Sequence, residues 1–308
     1  MRAVREAQVV VVVGHTGCGK TTQLPQMLHD VAHWEGKGAG GARMIVCTQP
    51  RRVAALSVAR RVAEERGERV GVGVGYAVRF EEASSRSTRI KYVTDGLLLR
   101  ELLAAPTLPE YAAVVMDEAH ERSLNSDILL SLLRHLLLRR PELRLVVTSA
   151  TLDAGKFARF FGGAPVFEVA GRMFPVEIEH AGAHVDDFIR AAVRTALREH
   201  VAVGVQGGDV LVFMPGQEEV EATCFFLKER AALLNASGVT VPPFEVLPIF
   251  GALPADAQAR IFATSSDSRK IVVATNIAET SLTVPGVTVV IDSGASPCPL
   301  LPLPRFRT

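Results

Sequence analysis

Short apolar runs, each ending at a polar or glycine-rich stretch and followed by a helical pattern, recur along this 308-residue chain. The β-branched residues in such runs are typical of strands that are buried on both faces of a parallel sheet. Strands that alternate with helices predict a doubly wound α/β sheet, whose functional residues gather at the carboxyl ends of the strands. The first five runs lie at 9–14, 44–50, 89–95, 112–118 and 143–151.

The alternation is interrupted near residue 172 and then begins again. Gly171 and Pro175 punctuate the connector, and further apolar runs follow it. We therefore expect two α/β domains of similar design, at 1–171 and 172–294, the second of them incomplete. Prolines cannot continue a helix or a strand, so the proline-rich segment 295–308 is predicted to be a disordered tail.

The composition restricts the possible partners. Because 34 basic residues nearly balance 33 acidic ones, a nucleic-acid partner must be argued from local sites rather than from net charge. The four cysteines form no CxxC pair, which favours reduced thiols and an intracellular location over a zinc knuckle or a disulfide framework. No stretch of 18 apolar residues is present, so neither a membrane span nor a membrane partner is expected.

The segment GHTGCGKT fits the phosphate-binding pattern GxxxxGK[ST] between a predicted strand and a predicted helix. The backbone N–H groups of such a loop surround phosphates, and the helix N-terminus attracts their negative charge. Lys20 would contact the β- and γ-phosphates, and the Thr21 hydroxyl would bind Mg²⁺. The alternative is a glycine-rich turn that matches by chance. The predicted nucleotide-binding residues of the loop are Gly14, Thr16, Gly17, Cys18, Gly19, Lys20, Thr21 and Thr22.

Two carboxylates, Asp117 and Glu118, end the apolar run at 112–118. In phosphate-loop enzymes an acid at a second strand end holds Mg²⁺, a role that suits Asp117. Glu118 suits the activation of the attacking water, and we expect it near the metal with Asp117 and Thr21. A solvated pair at a strand end is the alternative. A pure metal site is disfavoured, because these acids and His120 lack the spacing of zinc motifs.

Six segments of the chain occur in the order found in DEAH-box helicases of superfamily 2. They are GHTGCGKTTQLPQ, TQPRRVAA, VTDGLLLRE, DEAH, SAT and ATNIAETSLTVPGV. From Gln8 to Gly294 the chain therefore resembles this family. The resemblance implies two RecA-like domains, ATP-dependent RNA helicase or nucleoside triphosphatase activity, and the cofactors ATP and Mg²⁺. It also implies sequence-independent binding of single-stranded RNA, an activating protein partner, and a nuclear or nucleolar rather than cytoplasmic location.

The resemblance assigns roles to residues outside the phosphate loop. Arg61 and Phe262 match positions that stack on the adenine from the two domains. His120, as a catalytic residue, would link the nucleotide and RNA sites together with Ser149 and Thr151. The residues that match contacts to the RNA backbone are Arg51, Arg52, Thr94, Thr275 and Asn276.

One family motif, QxxGRxGR, does not occur in the sequence. Its arginines reach the γ-phosphate in the family, and an arginine of this kind is worth about 10³–10⁵ in rate. We therefore expect a truncated helicase core that binds ATP–Mg²⁺ and RNA but hydrolyses ATP slowly. The alternative is a non-enzymatic ATP- and RNA-binding chain with a regulatory role. A transport-type ATPase is disfavoured, because no LSGGQ-like signature is present.

Overall fold

The computed structural model describes residues 2–15, 17–31, 44–150, 154–171, 174–254, 257–258, 260–262, 268–280 and 284–295. The chain forms two compact units, Met1–Pro175 and Val176–Thr308. Apart from Ala295, the segment predicted to be a disordered tail lies outside the described residues. None of the helices in the described ranges has the length and apolar character needed to cross a membrane.

The first unit alternates strands and helices, as its buried apolar runs predict. Its strands are β1 (Val9–Gly14), β2 (Met44–Gln49), β3 (Val74–Val78), β4 (Glu81–Ala83), β5 (Ile90–Thr94), β6 (Tyr111–Met116), β7 (Arg144–Ser149) and β8 (Val166–Val169). Its helices are α1 (Arg2–Glu6), α2 (Lys20–Val31), α3 (Arg52–Glu65), α4 (Asp95–Ala104), α5 (Leu124–Arg139) and α6 (Ala154–Phe160). A 3₁₀ turn at Ala119–Glu121 joins β6 to α5.

These strands form one eight-stranded sheet in the order β4-β3-β5-β2-β6-β7-β1-β8. Every strand pair is parallel except β3 with β4. Alternate side chains of a strand point to opposite faces, so Val11 of β1 joins one apolar core while Val10 joins the other. Helices cover both faces, which explains why β1 is apolar at every position rather than at alternate ones.

The second unit repeats the design with fewer strands. Its strands are β9 (Asp209–Phe213), β10 (Phe244–Ile249), β11 (Arg269–Ala274) and β12 (Val287–Asp292), all parallel, in the order β10-β11-β9-β12. Its helices are α7 (Phe188–Val203), α8 (Gln217–Ala236) and α9 (Ile277–Thr280), with 3₁₀ turns at Val205–Gly207 and Arg260–Phe262. Apolar side chains of α7, α8 and the strands form its core. The predicted α/β fold with two parallel-sheet domains is confirmed.

Candidate functional site

The carboxyl ends of parallel strands meet at one edge of the first sheet. The segment after β1 forms a loop that leads into α2, and the segment after β6 begins with Asp117. Only β7 separates β1 from β6 in the sheet. The fold therefore places the phosphate-loop sequence and the acidic pair close together, although about a hundred residues separate them along the chain.

The loop after β1 has the backbone that its glycines allow. Gly17 and Gly19 adopt φ values of 82° and 86°. This left-handed region favours glycine, because glycine has no Cβ atom to clash with the backbone. At Gly14 a Cβ atom would come within 2.8 Å of the Cys18 sulfur. Thr16, which the sequence also assigned to nucleotide binding, lies outside the described residues.

Lys20 begins α2 and folds back over the loop. Its ammonium group donates hydrogen bonds to the carbonyl oxygens of Gly14, at 2.5 Å, and His15, at 3.0 Å. Only 5% of Lys20 is exposed, which is low for a lysine. In the same first turn of α2, the Thr22 hydroxyl donates to the Gly19 carbonyl at 3.3 Å. The ammonium group also lies 3.7 Å from the Cys18 sulfur, a weak acceptor. The lysine is thus held at the mouth of the loop by atoms of the loop itself, and it belongs to neither apolar core of the first unit.

Asp117 is a buried carboxylate, 3% exposed, that receives three side-chain hydrogen bonds. The Thr21 hydroxyl donates to Oδ2 at 2.6 Å, and the Gln49 amide donates to the same oxygen at 2.8 Å. The Thr148 hydroxyl donates to Oδ1. A buried charge is costly unless it is hydrogen-bonded, and these bonds join the phosphate-loop helix to the ends of β2, β6 and β7.

Glu118 occupies an unusual backbone position beside Asp117. It adopts the left-handed conformation at φ 52°, which costs a non-glycine residue on the order of 1–3 kcal/mol. Its side chain is 8% exposed, and burial together with the Asp117 charge raises its pKa to about 7, against the opposing effect of Lys20. Within the described residues, Oε2 of Glu118 has no hydrogen-bond partner.

His120 lies in the 3₁₀ turn that follows the acidic pair. The Ala150 backbone N–H, just beyond β7, donates to its Nδ1 at 3.3 Å, so the neutral ring carries its hydrogen on Nε2. That Nε2 lies 3.4 Å from Oε2 of Glu118, which is too long for a strong hydrogen bond. Burial lowers the pKa of His120, although the Glu121 carboxylate acts in the opposite direction. His120 therefore lies between Glu118 and the segment just beyond β7. Thr151, which was predicted to act with it, lies outside the described residues.

The oxygen atoms around Asp117 suit a magnesium ion. Mg²⁺ prefers hard oxygen ligands and is usually held by one or two carboxylates together with water and substrate phosphates. The Thr21 hydroxyl and the Asp117 carboxylate are already in contact, and the Glu118 carboxyl is adjacent in sequence. The part of the chain that the structure describes holds no group of three or more His, Cys, Asp or Glu side chains arranged for a metal.

Three residues assigned to RNA lie at the same edge of the first sheet. Arg51 precedes the first residue of α3, Arg52, directly after the end of β2. Thr94 precedes α4 at the end of β5, and its hydroxyl makes no capping bond to the helix. Since β2 and β5 pair in parallel, the two helix N-termini are brought together beside the Asp117 site.

The remaining assigned residues lie elsewhere. Arg61 is an exposed residue of α3 that pairs with Glu65 at 2.8 Å. In the second unit, Phe262 is half-buried in a 3₁₀ turn, and Thr275 and Asn276 directly follow β11. Thr275 donates its backbone N–H to Ile249 at 3.0 Å, which fixes the start of the segment after β11.

Known proteins share this arrangement of motifs. Residues 1–160 match the family described as DEAD/DEAH box helicase. The chain belongs to the DEAD/DEAH box helicase family. Residues 192–300 match the helicase conserved C-terminal domain, so the matches to the DEAD/DEAH box helicases include residues of both units.

One curated relative of this DEAD/DEAH box helicase is the pre-mRNA-splicing factor ATP-dependent RNA helicase prp22 of Schizosaccharomyces pombe. The two sequences are 48% identical over 295 residues, which is 96% of this chain and 24% of the relative. The resemblance to DEAH-box helicases of superfamily 2 is thereby confirmed, and the chain spans about a quarter of the relative's length.

Two residues beside Asp117 were missed by the sequence reasoning. Gln49 and Thr148 both donate to Asp117, from the strands that flank β6 on either side. Their position at or next to the ends of buried strands was a signal, because polar groups at such ends face the functional edge of a parallel sheet. The spacing of Gln49 and Thr148 along the sequence did not indicate that both would contact Asp117.

Proposed function

We propose that this chain is the ATP- and RNA-binding core of a DEAH-box RNA helicase. The observation that carries the proposal is the 2.6 Å bond between Thr21, in the phosphate-loop helix, and Asp117, in the DEAH segment. Phosphate-loop enzymes place Mg²⁺ between these two groups, where the ion neutralises phosphate charge. The glycine-rich loop and Lys20 would hold the phosphates, as their backbone geometry and position at the N-terminus of α2 allow.

Glu118 is proposed as the general base. A base must take a proton from water near neutral pH, and a carboxyl whose pKa is about 7 is suited to that task. The unpartnered Oε2 is an acceptor that a water molecule would satisfy. His120, whose Nε2 faces that oxygen at 3.4 Å, would orient the carboxyl and connect it to the end of β7.

The RNA site is proposed at the helix N-termini beside the nucleotide site, with contributions from the second unit. RNA phosphates would be bound by Arg51, Arg52 and Thr94, and by Thr275 and Asn276 after β11. Contacts to phosphates carry no base information, so binding would be independent of sequence and sensitive to salt. Arg61 and Phe262 would stack on the adenine, which reads base shape weakly.

We propose a cellular role for this chain from the name of its relative. The name of prp22 describes a pre-mRNA-splicing factor, and we infer a nuclear role in RNA processing for this chain. An activating protein partner is proposed on family analogy alone. We also propose that the two domains span residues 1–171 and 172–294.

The chain of 308 residues should hydrolyse ATP slowly, because the sequence contains no QxxGRxGR motif. In phosphoryl transfer, charge develops on the transferred group and a cation is needed there. The same observation favours the second candidate function, a non-enzymatic ATP- and RNA-binding chain that regulates other proteins.

The experiment is steady-state ATP hydrolysis with saturating single-stranded RNA. It compares this chain, a longer chain that carries QxxGRxGR, and the Glu118→Gln variant of each. We expect the longer chain to hydrolyse ATP about 10³–10⁵ times faster than this chain. In the longer chain, Glu118→Gln should abolish the hydrolysis. Equal rates for the two chains would refute the argument from the missing arginines. Absence of hydrolysis in the longer chain would refute the helicase proposal and favour the regulatory one.

A further inference from the structure

Gln49 is a buried polar residue at the carboxyl end of the strand beside β6. It is the last residue of β2 and only 2% exposed. Its side-chain amide donates to Oδ2 of Asp117 at 2.8 Å, the same oxygen that accepts the Thr21 hydroxyl. A buried carboxylate is fixed by its donors, so Gln49 is one of the groups that determine where the Asp117 charge lies.

The backbone of Gln49 adjoins both elements proposed to bind RNA in the first unit. It pairs in register with Thr94 at the end of β5. After Pro50 the chain reaches Arg51 and the N-terminus of α3. If RNA phosphate draws the N-terminus of α3 or α4 towards itself, the end of β2 should therefore move with it. The Gln49 side chain belongs to that end of β2.

Gln8 is a glutamine of the same unit whose hydrogen bonds are purely structural. Its amide also makes two hydrogen bonds, but the acceptors are the backbone carbonyls of Leu137 and Arg140. It precedes β1, at the opposite edge of the sheet from the phosphate loop. The Gln49 amide lies 3.9 Å from the Cys47 sulfur, a weak acceptor, and its strong hydrogen bond is to Asp117, a side chain assigned to the metal. A glutamine that only satisfied the end of a strand would not need such an acceptor.

We propose that Gln49 is a positioning residue that couples RNA binding to nucleotide binding through Asp117. The proposal rests on the function proposed above. RNA at the α3 and α4 N-termini would fix the end of β2, and the Gln49 amide would then hold the Asp117 carboxylate in the orientation that favours Mg²⁺ and ATP. By linkage, bound nucleotide would raise RNA affinity by the same factor.

The test measures this factor directly. The affinity of a fluorescein-labelled oligouridylate is determined by anisotropy, with and without saturating Mg²⁺ and a non-hydrolysable ATP analogue. We expect a ratio of about 5–150 for the unmodified chain, which is the usual range of coupling between two sites. Gln49→Met keeps the side-chain length and removes the donor. We expect it to reduce the ratio to about 1–2, with little change in RNA affinity measured without nucleotide.

The matched control is Gln8→Met, which should keep the unmodified ratio. If thermal unfolding shows that Gln49→Met does not fold, Gln49→Glu is tested in its place. Gln49→Glu keeps the shape of the side chain but places a carboxylate against Asp117. The ratio of RNA affinities with and without nucleotide should fall to about 1–2 in this variant as well. An unchanged ratio in the folded variant, or no coupling in the unmodified chain, overturns the proposal. Failure of the unmodified chain to bind nucleotide or RNA at all refutes the proposed function instead.

Discussion

At the scale of single residues, Glu118 shows how the surroundings set the chemistry of a side chain. Burial and the Asp117 charge raise its pKa to about 7. The folded state therefore holds a proton on Glu118 in a pH range where the unfolded chain has released it. By linkage, the folded state loses stability as pH rises from about 4.5 through about 7.

Glu118→Gln should therefore stabilise the protein at high pH more than at low pH. One pKa unit corresponds to about 1.4 kcal/mol. We expect the gain in the free energy of unfolding to be about 1–3 kcal/mol larger at pH 8 than at pH 5. Denaturant unfolding at the two pH values measures it. Replacing the exposed Glu110 by Gln is the control and should change stability by less than about 0.5 kcal/mol at either pH. A gain from Glu118→Gln that is the same at both pH values would rule out the raised pKa.

The acids and the phosphate loop could be predicted because their signals are local. Lys20 belongs to an eight-residue pattern, and Asp117 ends an apolar run directly. Gln49 and Thr148 could not be assigned in the same way, because their contact with Asp117 depends on which strands lie beside β6. Sequence order does not reveal that β2 and β7 are those neighbours.

At the scale of elements, the start of α3 is unusual. Arg52 is its first residue, and its first turn contains no acidic side chain. A basic residue at a helix N-terminus is unfavourable beside the positive end of the helix dipole. An anion at this position would remove the conflict, and the proposed RNA phosphate is such an anion. The arrangement favours a binding role for Arg52 over that of a solvated surface residue.

Arg52→Gln should therefore weaken RNA binding and reduce its salt dependence. One lost phosphate contact lowers the slope of log affinity against log salt by about 0.7 for a single strand. The affinity for oligouridylate at several salt concentrations measures this slope. Arg139→Gln is the matched control, because Arg139 is exposed at the C-terminal end of α5, before β7 begins. If both variants keep the unmodified slope, Arg52 does not contact phosphate.

Most elements followed from apolar periodicity, but the hairpin of β3 and β4 did not. Three glycines, at positions 71, 73 and 75, interrupt the apolar pattern before and within β3. Glycine lowers strand propensity, so the segment resembles a loop when it is read alone. Pairing with β5 and β4 in the folded unit compensates for this weakness.

At the scale of the whole molecule, each unit is a parallel sheet covered by helices. The alternation of strands and helices predicted both sheets, because burial on two faces imposes continuous apolar strands. The adenine site required more than this pattern. Arg61 and Phe262 lie in different units, so their joint contact with adenine depends on the arrangement of the units and stays a prediction.

The central claim is that the loop from Gly14 to Thr21 binds the phosphates of ATP, and Lys20 tests it most directly. Lys20 contacts loop carbonyls and belongs to neither apolar core of its unit, so Lys20→Ala should fold normally. Charged hydrogen bonds are worth about 1.5–3 kcal/mol, which corresponds to a loss of ATP affinity of about 10- to 100-fold. The measurement is calorimetric titration with ATP and Mg²⁺, with Lys228→Ala, an exposed lysine of α8, as the control that keeps full affinity. A folded Lys20→Ala variant that binds ATP as tightly as the unmodified chain would contradict the account.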